Sequence, residues 1–224
     1  MSASASPDPA VRRLRLIRDS IDRAARTARR EPGSVALIAV TKTHPAEKIT
    51  GLIAAGQRDF GESWVQEAQA KWPPMLAVES GVRLHLIGRL QSNKADDAVA
   101  LFDTIHSLDR PSLFDALVAA AAKSGRTPSV YVQVNIGAEE QKGGVAIADL
   151  PGFLALVRAS PLPLAGLMAI PPAGLEPAPY FALLAKLARR HDVSGLSMGM
   201  SGDFETAVML GATAVRVGSA LFQD

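Results

Sequence analysis

The chain has 224 residues, of which 48% are hydrophobic and 21% charged, with a net charge of +2 and no cysteine. That apolar content suffices for a large core and argues against disorder, while the missing thiols exclude disulfides, thiol nucleophiles and thiolate metal sites. No apolar run is long enough to span a bilayer, so neither a membrane helix nor a membrane partner is expected, and the cysteine-free composition fits a cytoplasmic location.

The Ser/Ala/Pro-rich stretch Met1–Ala10 reads as a disordered tail rather than a signal peptide, and residues 11–224 as one domain. Val11, Leu14, Ile17, Ile21 and Ala25 then recur at helical spacing among Arg12, Arg13, Arg15, Arg18, Arg23, Arg26, Arg29 and Arg30. Such a basic stretch reads either as a nucleic-acid patch or as the solvated face of an amphipathic helix. No stacking aromatics interleave the arginines, which favours the helix and no nucleic-acid partner.

Short apolar runs bounded by Gly, Pro or polar turns follow, and predict eight strands: Val35–Lys42, Arg58–Gly61, Leu84–Gly88, Thr104–Leu108, Ser129–Asn135, Leu164–Ile170, Gly195–Met200 and Ala214–Phe222. Between them, spacings of three and four predict helices over Ala46–Ala55, Ser63–Lys71, Asn93–Leu101, Ser112–Lys123, Ala148–Ala159, Pro179–Arg190 and Asp203–Leu210. Ser92 and Gly202-Asp203 are placed to cap two of them. Strands separated by helices demand parallel pairing with right-handed crossovers. Eight such units predict a small (β/α)8 barrel with an extra N-terminal helix. The rival, an open doubly wound sheet, lacks its Gly-rich fingerprint after the first strand. The Pro-rich stretch Pro171–Pro177 is short enough to be a loop rather than a domain boundary.

Lys42 closes the first strand, at the end where barrels of this kind build their active sites. From position alone it reads equally as a lysine reaching for solvent. Near the other end of the chain, Met200 and Ser201 follow strand seven, and Arg216, Gly218 and Ser219 stand in and after strand eight. Loops after these two strands commonly hold a phosphate, and a glycine lets backbone N–H groups approach an anion. Each serine alone could be an ordinary cap or turn residue; together with a mid-strand arginine, a phosphate ligand is the better account. A phosphate opposite a strand-end lysine suggests a phosphorylated carbonyl compound. An amine attacks an aldehyde only when unprotonated, which desolvation or a nearby cation such as Arg216 favours. Pyridoxal 5′-phosphate (PLP) meets this description, as do the sugar phosphates of Schiff-base aldolases.

A series of short motifs resembles the pyridoxal phosphate homeostasis proteins, single-domain relatives of the alanine racemase N-terminal barrel. They include Ala39-Val40-Thr41-Lys42-Thr43, Phe60-Gly61-Glu62-Ser63-Trp64-Val65-Gln66-Glu67 and His85-Leu86-Ile87-Gly88-Arg89-Leu90-Gln91-Ser92-Asn93-Lys94. His106-Ser107-Leu108-Asp109, Gln133-Val134-Asn135-Ile136, Gly166-Leu167-Met168-Ala169-Ile170, Leu196-Ser197-Met198-Gly199-Met200-Ser201 and Val215-Arg216-Val217-Gly218-Ser219 continue it. The similarity runs from about Val35 to Phe222, and the number and order of the motifs make it specific. It implies that Lys42 is the Schiff-base lysine, that Ser201, Gly218 and Ser219 bind the phosphate, and that Arg216 lies near the pyridine nitrogen. Met200 and Asn135 join the expected cofactor pocket. The departures are Thr41 and Ser63, where the family commonly has Ser and Asn, and the C-terminal Phe222-Gln223-Asp224 in place of a longer tail.

Elsewhere the reading is plainer. His85, His106 and Tyr131 are expected to pack within strands, the histidines hydrogen-bonded, and Trp64 and Trp72 to pack a helix. Lys94 reads as a loop lysine, with transient PLP acceptance as its alternative. The resemblance implies a carrier that regulates cofactor and amino-acid balance, with apo PLP-dependent enzymes as its recipient partners and no dedicated enzyme activity. A PLP racemase and an aldolase are the competing readings. In the alanine racemases a tyrosine from an additional domain serves as second base, and this chain is expected to have no such domain. No unpartnered apolar stripe stands out, so a monomer is expected.

Overall fold

The computed structural model describes residues 9–139 and 141–222. Eight parallel strands close into a barrel in the order β1-β2-β3-β4-β5-β6-β7-β8. They are β1 Ala36–Val40, β2 Asp59–Glu62, β3 Arg83–Leu86, β4 Thr104–Leu108, β5 Ser129–Gln133, β6 Leu164–Met168, β7 Leu196–Ser197 and β8 Ala214–Val217. The helices are α1 Pro9–Thr27, α2 Ala46–Ala54, α3 Val65–Leu76, α4 Ala95–Leu101, α5 Pro111–Ser124, α6 Leu150–Arg158, α7 Ala178–Arg190, α8 Phe204–Met209 and the turn α9 Ser219–Phe222.

Several boundaries differ from the sequence expectation, each for a local reason. Of the expected tail, residues 1–8 lie outside the described residues, while Pro9 and Ala10 already belong to α1 and Ala10 is buried. Ser92 opens a 3-10 turn through Lys94 instead of capping a helix by its side chain. α3 continues through Pro73 and Pro74 to Leu76, because Trp72 and Met75 are both anchored in the core. β8 ends at Val217, and the apolar run beyond it turns helical, burying Leu221 and Phe222.

Seven helices, α2 to α8, cover the crossovers between consecutive strands. α1 packs against both α8 and α2, so it fills the eighth place in the outer ring rather than adding a layer. Its buried stripe is Ala10, Leu14, Ile17, Ile21, Ala24 and Ala25. The arginines of α1 divide in use. Arg18 donates to the Ala55 and Gly56 carbonyls at the end of α2, and Arg30, just beyond α1, to the Val208 carbonyl of α8. The Arg18 bonds serve carbonyls at a helix terminus, and the Val208 carbonyl accepts from the Gly211 N–H as well.

Strand alternation separates two interiors. Leu37, Ala39, Phe60, Leu84, Leu86, Ile105, Val130, Val132, Leu167, Leu196, Val215 and Val217 face outward into the continuous apolar core under the helices. The opposite strand faces bring Ile38, His85, His106, Tyr131, Ser197 and Arg216 to the barrel axis, so the inner core is polar on one side. Gly166 makes room there: a Cβ at this position would come within 2.6 Å of the Tyr131 ring.

At the N-terminal end of the strands, Asp59 accepts two hydrogen bonds from Arg83 and lies 2.9 Å from His85 Nε2. Burial raises the Asp59 carboxyl, but the hydrogen bonds from His85 and Arg83 outweigh it and bring the pKa from 3.8 to about 2. A carboxyl depressed in the folded state stabilises it above the unfolded pKa and loses that contribution as pH falls through the folded one. Allowing for the solvent screening of Arg83, we expect about 1–2 kcal/mol of stability to disappear between about pH 4 and pH 2. Urea unfolding across that range checks this: Asp59→Asn should flatten the acid limb, and an unchanged limb would show that other carboxylates govern it.

Candidate functional site

The C-terminal ends of the strands open on a cavity of about 620 Å³, within the usual size of a cofactor pocket. Lys42, Met200, Ser201, Arg216, Gly218 and Ser219 all line it, although 158 residues separate Lys42 from Met200 in the chain. A smaller space of about 300 Å³ continues between Lys42, Gly218, Ser219 and Phe222. Barrel closure explains the meeting, since β1 pairs directly with β8, with Ile38 opposite Arg216.

Lys42 stands just past the end of β1 and is exposed. The backbone around it is held from below. Thr41 donates its hydroxyl to Glu62 Oε1 at 2.7 Å, Trp72 donates Nε1 to the same oxygen at 2.9 Å, and Lys71 pairs with it at 2.8 Å. Lys71 also donates to the Thr41 carbonyl at 2.8 Å, and Glu67 accepts from the Thr43 N–H at 2.6 Å. Thr43 has a φ of 63°, an unfavourable value for a β-branched residue, so this set of bonds holds a strained turn immediately after the lysine. His44 stacks on Phe222 with ring centroids 3.9 Å apart, which ties the same turn to α9.

On the opposite wall, Ser201 Oγ accepts from the Gly218 N–H at 3.3 Å and from the Ala220 N–H at 3.2 Å. Its own proton therefore points away from those donors. Ser201 and Ser219 both line this wall, and the two backbone donors that Ser201 accepts leave its hydroxyl proton free to donate elsewhere. Gly218 is needed for a reason the sequence did not suggest: an added Cβ would press on Val40 at 3.1 Å. Gly199 sits at a φ of 95° and passes within contact of Ala207, which turns the chain sharply from β7 toward Ser201.

Arg216 is buried, and donates to Ser197 Oγ at 2.6 Å and to the Ala169 carbonyl at 3.2 Å. Burial lowers its pKa to about 10, against weaker opposing influences from Asp203 and Tyr131. It remains a cation at neutral pH and forms part of the cavity wall.

Asn135 is a correction. It does not line the cavity, because its amide closes its own loop, donating to the Glu139 carbonyl at 2.9 Å and accepting from the Glu139 N–H at 3.1 Å. Its neighbour Gln133 lines the wall instead and donates to the Gly143 carbonyl. The strand alternation that turns Tyr131 inward also turns Gln133 inward, so this was available from the sequence. Arg89, Asp109 and Ser63 are further wall residues that sequence reasoning left without a role. Trp72 packs fully as expected, whereas Trp64 is 53% exposed and borders an adjoining cleft of about 700 Å³ that shares Ser63 and Arg89 with the mouth and extends to Asn93 and Lys94. Lys94 is thus outside the mouth cavity, beside Asp97.

Comparison with known proteins agrees with this architecture. Residues 14–224 match the family model described as alanine racemase, N-terminal domain. A pyridoxal phosphate homeostasis protein of Pseudomonas aeruginosa is 41% identical over 209 residues, covering 90% of each chain. One of Escherichia coli is 37% identical over 219 residues, covering 93% of this chain and 94% of that one. The solved structure of PipY from Synechococcus elongatus, with PLP bound, superposes with a TM-score of 0.78 at 41% identity, covering 91% of this chain and 99% of that one. With its closed eight-stranded barrel and an identity of 37% or more to these relatives over nearly its whole length, the chain belongs to the pyridoxal phosphate homeostasis protein family, whose barrel is the N-terminal domain of the alanine racemases.

Proposed function

We propose that this chain is a PLP carrier, holding the cofactor at the barrel mouth and contributing to PLP homeostasis. One observation carries the reading: an exposed strand-end lysine faces a donor-rich anion site across a cavity that also exposes a buried guanidinium. When bound, PLP would supply an aldehyde for reversible condensation with a lysine amine. Lys42 is the amine of that cavity. Ser201 and Ser219, with the Gly218 N–H on exchanging its bond to Ser201 Oγ, would hold the phosphate, with Met200 as a flanking wall. Arg216 would donate toward the ring nitrogen and, as a cation, disfavour its protonation.

The donor set fits the group on three counts. The anion end is served by backbone and hydroxyl donors, the ring end by a fixed guanidinium, and the aldehyde end by a lysine whose flanking turn is held in place. Recipient apo-enzymes are the partner class that suits such a carrier. The PLP-bound relative PipY supports the assignment.

The residues around the mouth give little support to a racemase. A two-base racemisation requires a proton carrier on each face of the bound amino acid. Apart from Lys42, the titratable side chains lining the cavity and its continuation are His44, Arg89, Asp109 and Arg216, with the His44 ring stacked on Phe222. Asp109 lines the cavity with its Oδ1 paired to Arg110 at 2.5 Å. The aldolase reading shares the lysine and the anion site, but the family relatives are named for PLP homeostasis.

Reduction of the PLP-loaded protein with borohydride, followed by peptide mapping, should place the pyridoxyl group on Lys42. A group found mainly on Lys94 or Lys48 would overturn the assignment. Ser201→Ala and Arg216→Ala should each lower PLP affinity by about ten- to a hundredfold, as expected for loss of a charge-assisted hydrogen bond. Cofactor titration of folded variants measures this, and unchanged affinity in both would move the anion site elsewhere. Alanine and serine racemisation, followed by chiral chromatography, should fall at least about a hundredfold below a dedicated enzyme turning over at ~1–10³ s⁻¹. Turnover in that range would restore the enzyme reading.

A further inference from the structure

Beneath the mouth, the inner core carries an unbroken hydrogen-bonded chain that the carrier function does not by itself require. Arg216 donates to Ser197 Oγ at 2.6 Å, and Ser197 Oγ lies 2.8 Å from His106 Nδ1. His106 Nε2 lies 3.0 Å from His85 Nδ1, and His85 Nε2 lies 2.9 Å from Asp59 Oδ1. Asp59 is clamped from outside by Arg83 at 2.6 and 2.7 Å. The chain thus crosses β8, β7, β4, β3 and β2, from the cavity wall to the opposite end of the barrel.

Its direction is forced from both ends. A guanidinium can only donate, and an ionised carboxylate can only accept. His85 must therefore present Nε2–H to Asp59, which leaves Nδ1 as an acceptor when the ring is neutral. His106 must then donate through Nε2–H, which leaves its Nδ1 as an acceptor. Ser197 must donate its hydroxyl proton to that Nδ1 while accepting from Arg216. With both imidazoles neutral, every link has one donor and one acceptor. No other neutral arrangement satisfies all four links from Arg216 to Asp59.

A proton added to His85 changes this. Both its nitrogens then donate, so His106 must accept at Nε2 and carry its proton on Nδ1. Ser197 then accepts from His106 and Arg216 together, and its own hydroxyl proton loses its place in the chain. His106 itself is fully enclosed and resists charging: burial, with His85 and Arg216 nearby, holds its imidazole well below the usual value. His85 is the entry point, with side-chain exposure of 11% beside Asp59 at 14%. The groups facing the two rings are Asp59 on β2, Arg83 on β3, Tyr131 on β5, Ser197 on β7 and Arg216 on β8; Tyr131 stacks on His106 at 4.4 Å.

We propose that Asp59, His85, His106 and Ser197 are positioning residues for Arg216, forming a one-directional relay that a proton taken up at His85 reverses. The relay fixes the guanidinium at the cavity in its forward state and loosens it in the reversed one. Its consequence for the cofactor, weaker retention when His85 is protonated, rests on the PLP reading above; the relay itself does not.

Nitrogen-15 NMR of the histidine rings of the full chain, without PLP, tests it directly. At alkaline pH both rings should carry their proton on Nε2. On acidification His106 should switch to Nδ1–H with the midpoint at which His85 takes up its proton. A His106 already protonated at Nδ1 in alkali, or one indifferent to the His85 titration, would overturn the relay. Exchange of the Arg216 guanidinium protons supplies a second readout: Ser197→Ala should speed it by about tenfold or more, and Ser197→Thr should restore it. Unchanged exchange in folded Ser197→Ala would remove the positioning role, and the wild-type titration decides the relay if that variant does not fold. Because both measurements omit the cofactor, failure to bind PLP would leave them standing. Loaded protein then adds the functional arm: PLP affinity should fall as His106 reverses, and affinity that ignores the reversal would overturn the coupling.

Discussion

A cation enclosed in a barrel has to be solvated by the barrel. Arg216 is buried, and among the described residues its hydrogen bonds run to a hydroxyl and a backbone carbonyl, neither of them anionic. A guanidinium in such surroundings is costly unless its partners are themselves polarised. Ser197 is so polarised because His106 accepts from it, His85 accepts from His106, and Asp59 terminates the sequence with a full negative charge. Inner layers of such barrels are ordinarily filled by branched apolar side chains. Here one sector is given over to this chain, and a side chain at Gly166 would collide with both the Gly195 carbonyl and the Tyr131 ring that stacks on His106.

The outer core and the inner core therefore answer to different demands. Outward-facing strand residues and helix stripes hold the fold by burial. The inner face and the strand ends spend part of that stability on polar order. Glu62 illustrates the exchange: fully buried, it takes three partners on Oε1 and leaves Oε2 without one. A buried ion pair of this kind is poor evidence for net stability, but its removal on one side is severe. Its position beneath Thr41 and the strained Thr43 indicates what it secures, namely the turn that presents Lys42.

Much of this was legible in the sequence, and the failures have physical causes. All eight strands occur in the expected order because short apolar runs bounded by turns are distinctive when helices separate them. Their ends were read too long: Leu221 and Phe222 are as apolar as any strand residue, and a run that short has no period to separate strand from helical turn. Lys42, Ser201, Arg216, Gly218 and Ser219 could be brought together because strand ends of a parallel barrel share one face. Asn135 was misplaced by a small step along the chain, since it follows the strand and folds back on Glu139 while Gln133 keeps the inward direction. The relay was beyond reach because it depends on register. Gly61 stands opposite His85 in the ladder, yet His85 bonds Asp59, two residues earlier on β2. Only the barrel's tilt makes that diagonal contact.

The asymmetry of the mouth bears on why such a site would carry rather than convert. The walls proposed for ring and phosphate are preformed: a buried arginine bonded on two sides, and a serine hydroxyl fixed by two backbone donors. Lys42, by contrast, is exposed. An enzyme that stabilises a carbanion gains from excluding water and from a protonated ring nitrogen that withdraws electrons. A cationic Arg216 opposes the second, and an exposed lysine forgoes the first. Both features would favour exchange instead, because an exposed Lys42 leaves its amine open to water and incoming amines. Tight walls with an open covalent end make retention depend on the non-covalent grip while leaving the bond itself labile. On the proposed relay, a grip set partly by Arg216 would be adjusted from the far end of the barrel, without any change at the lysine.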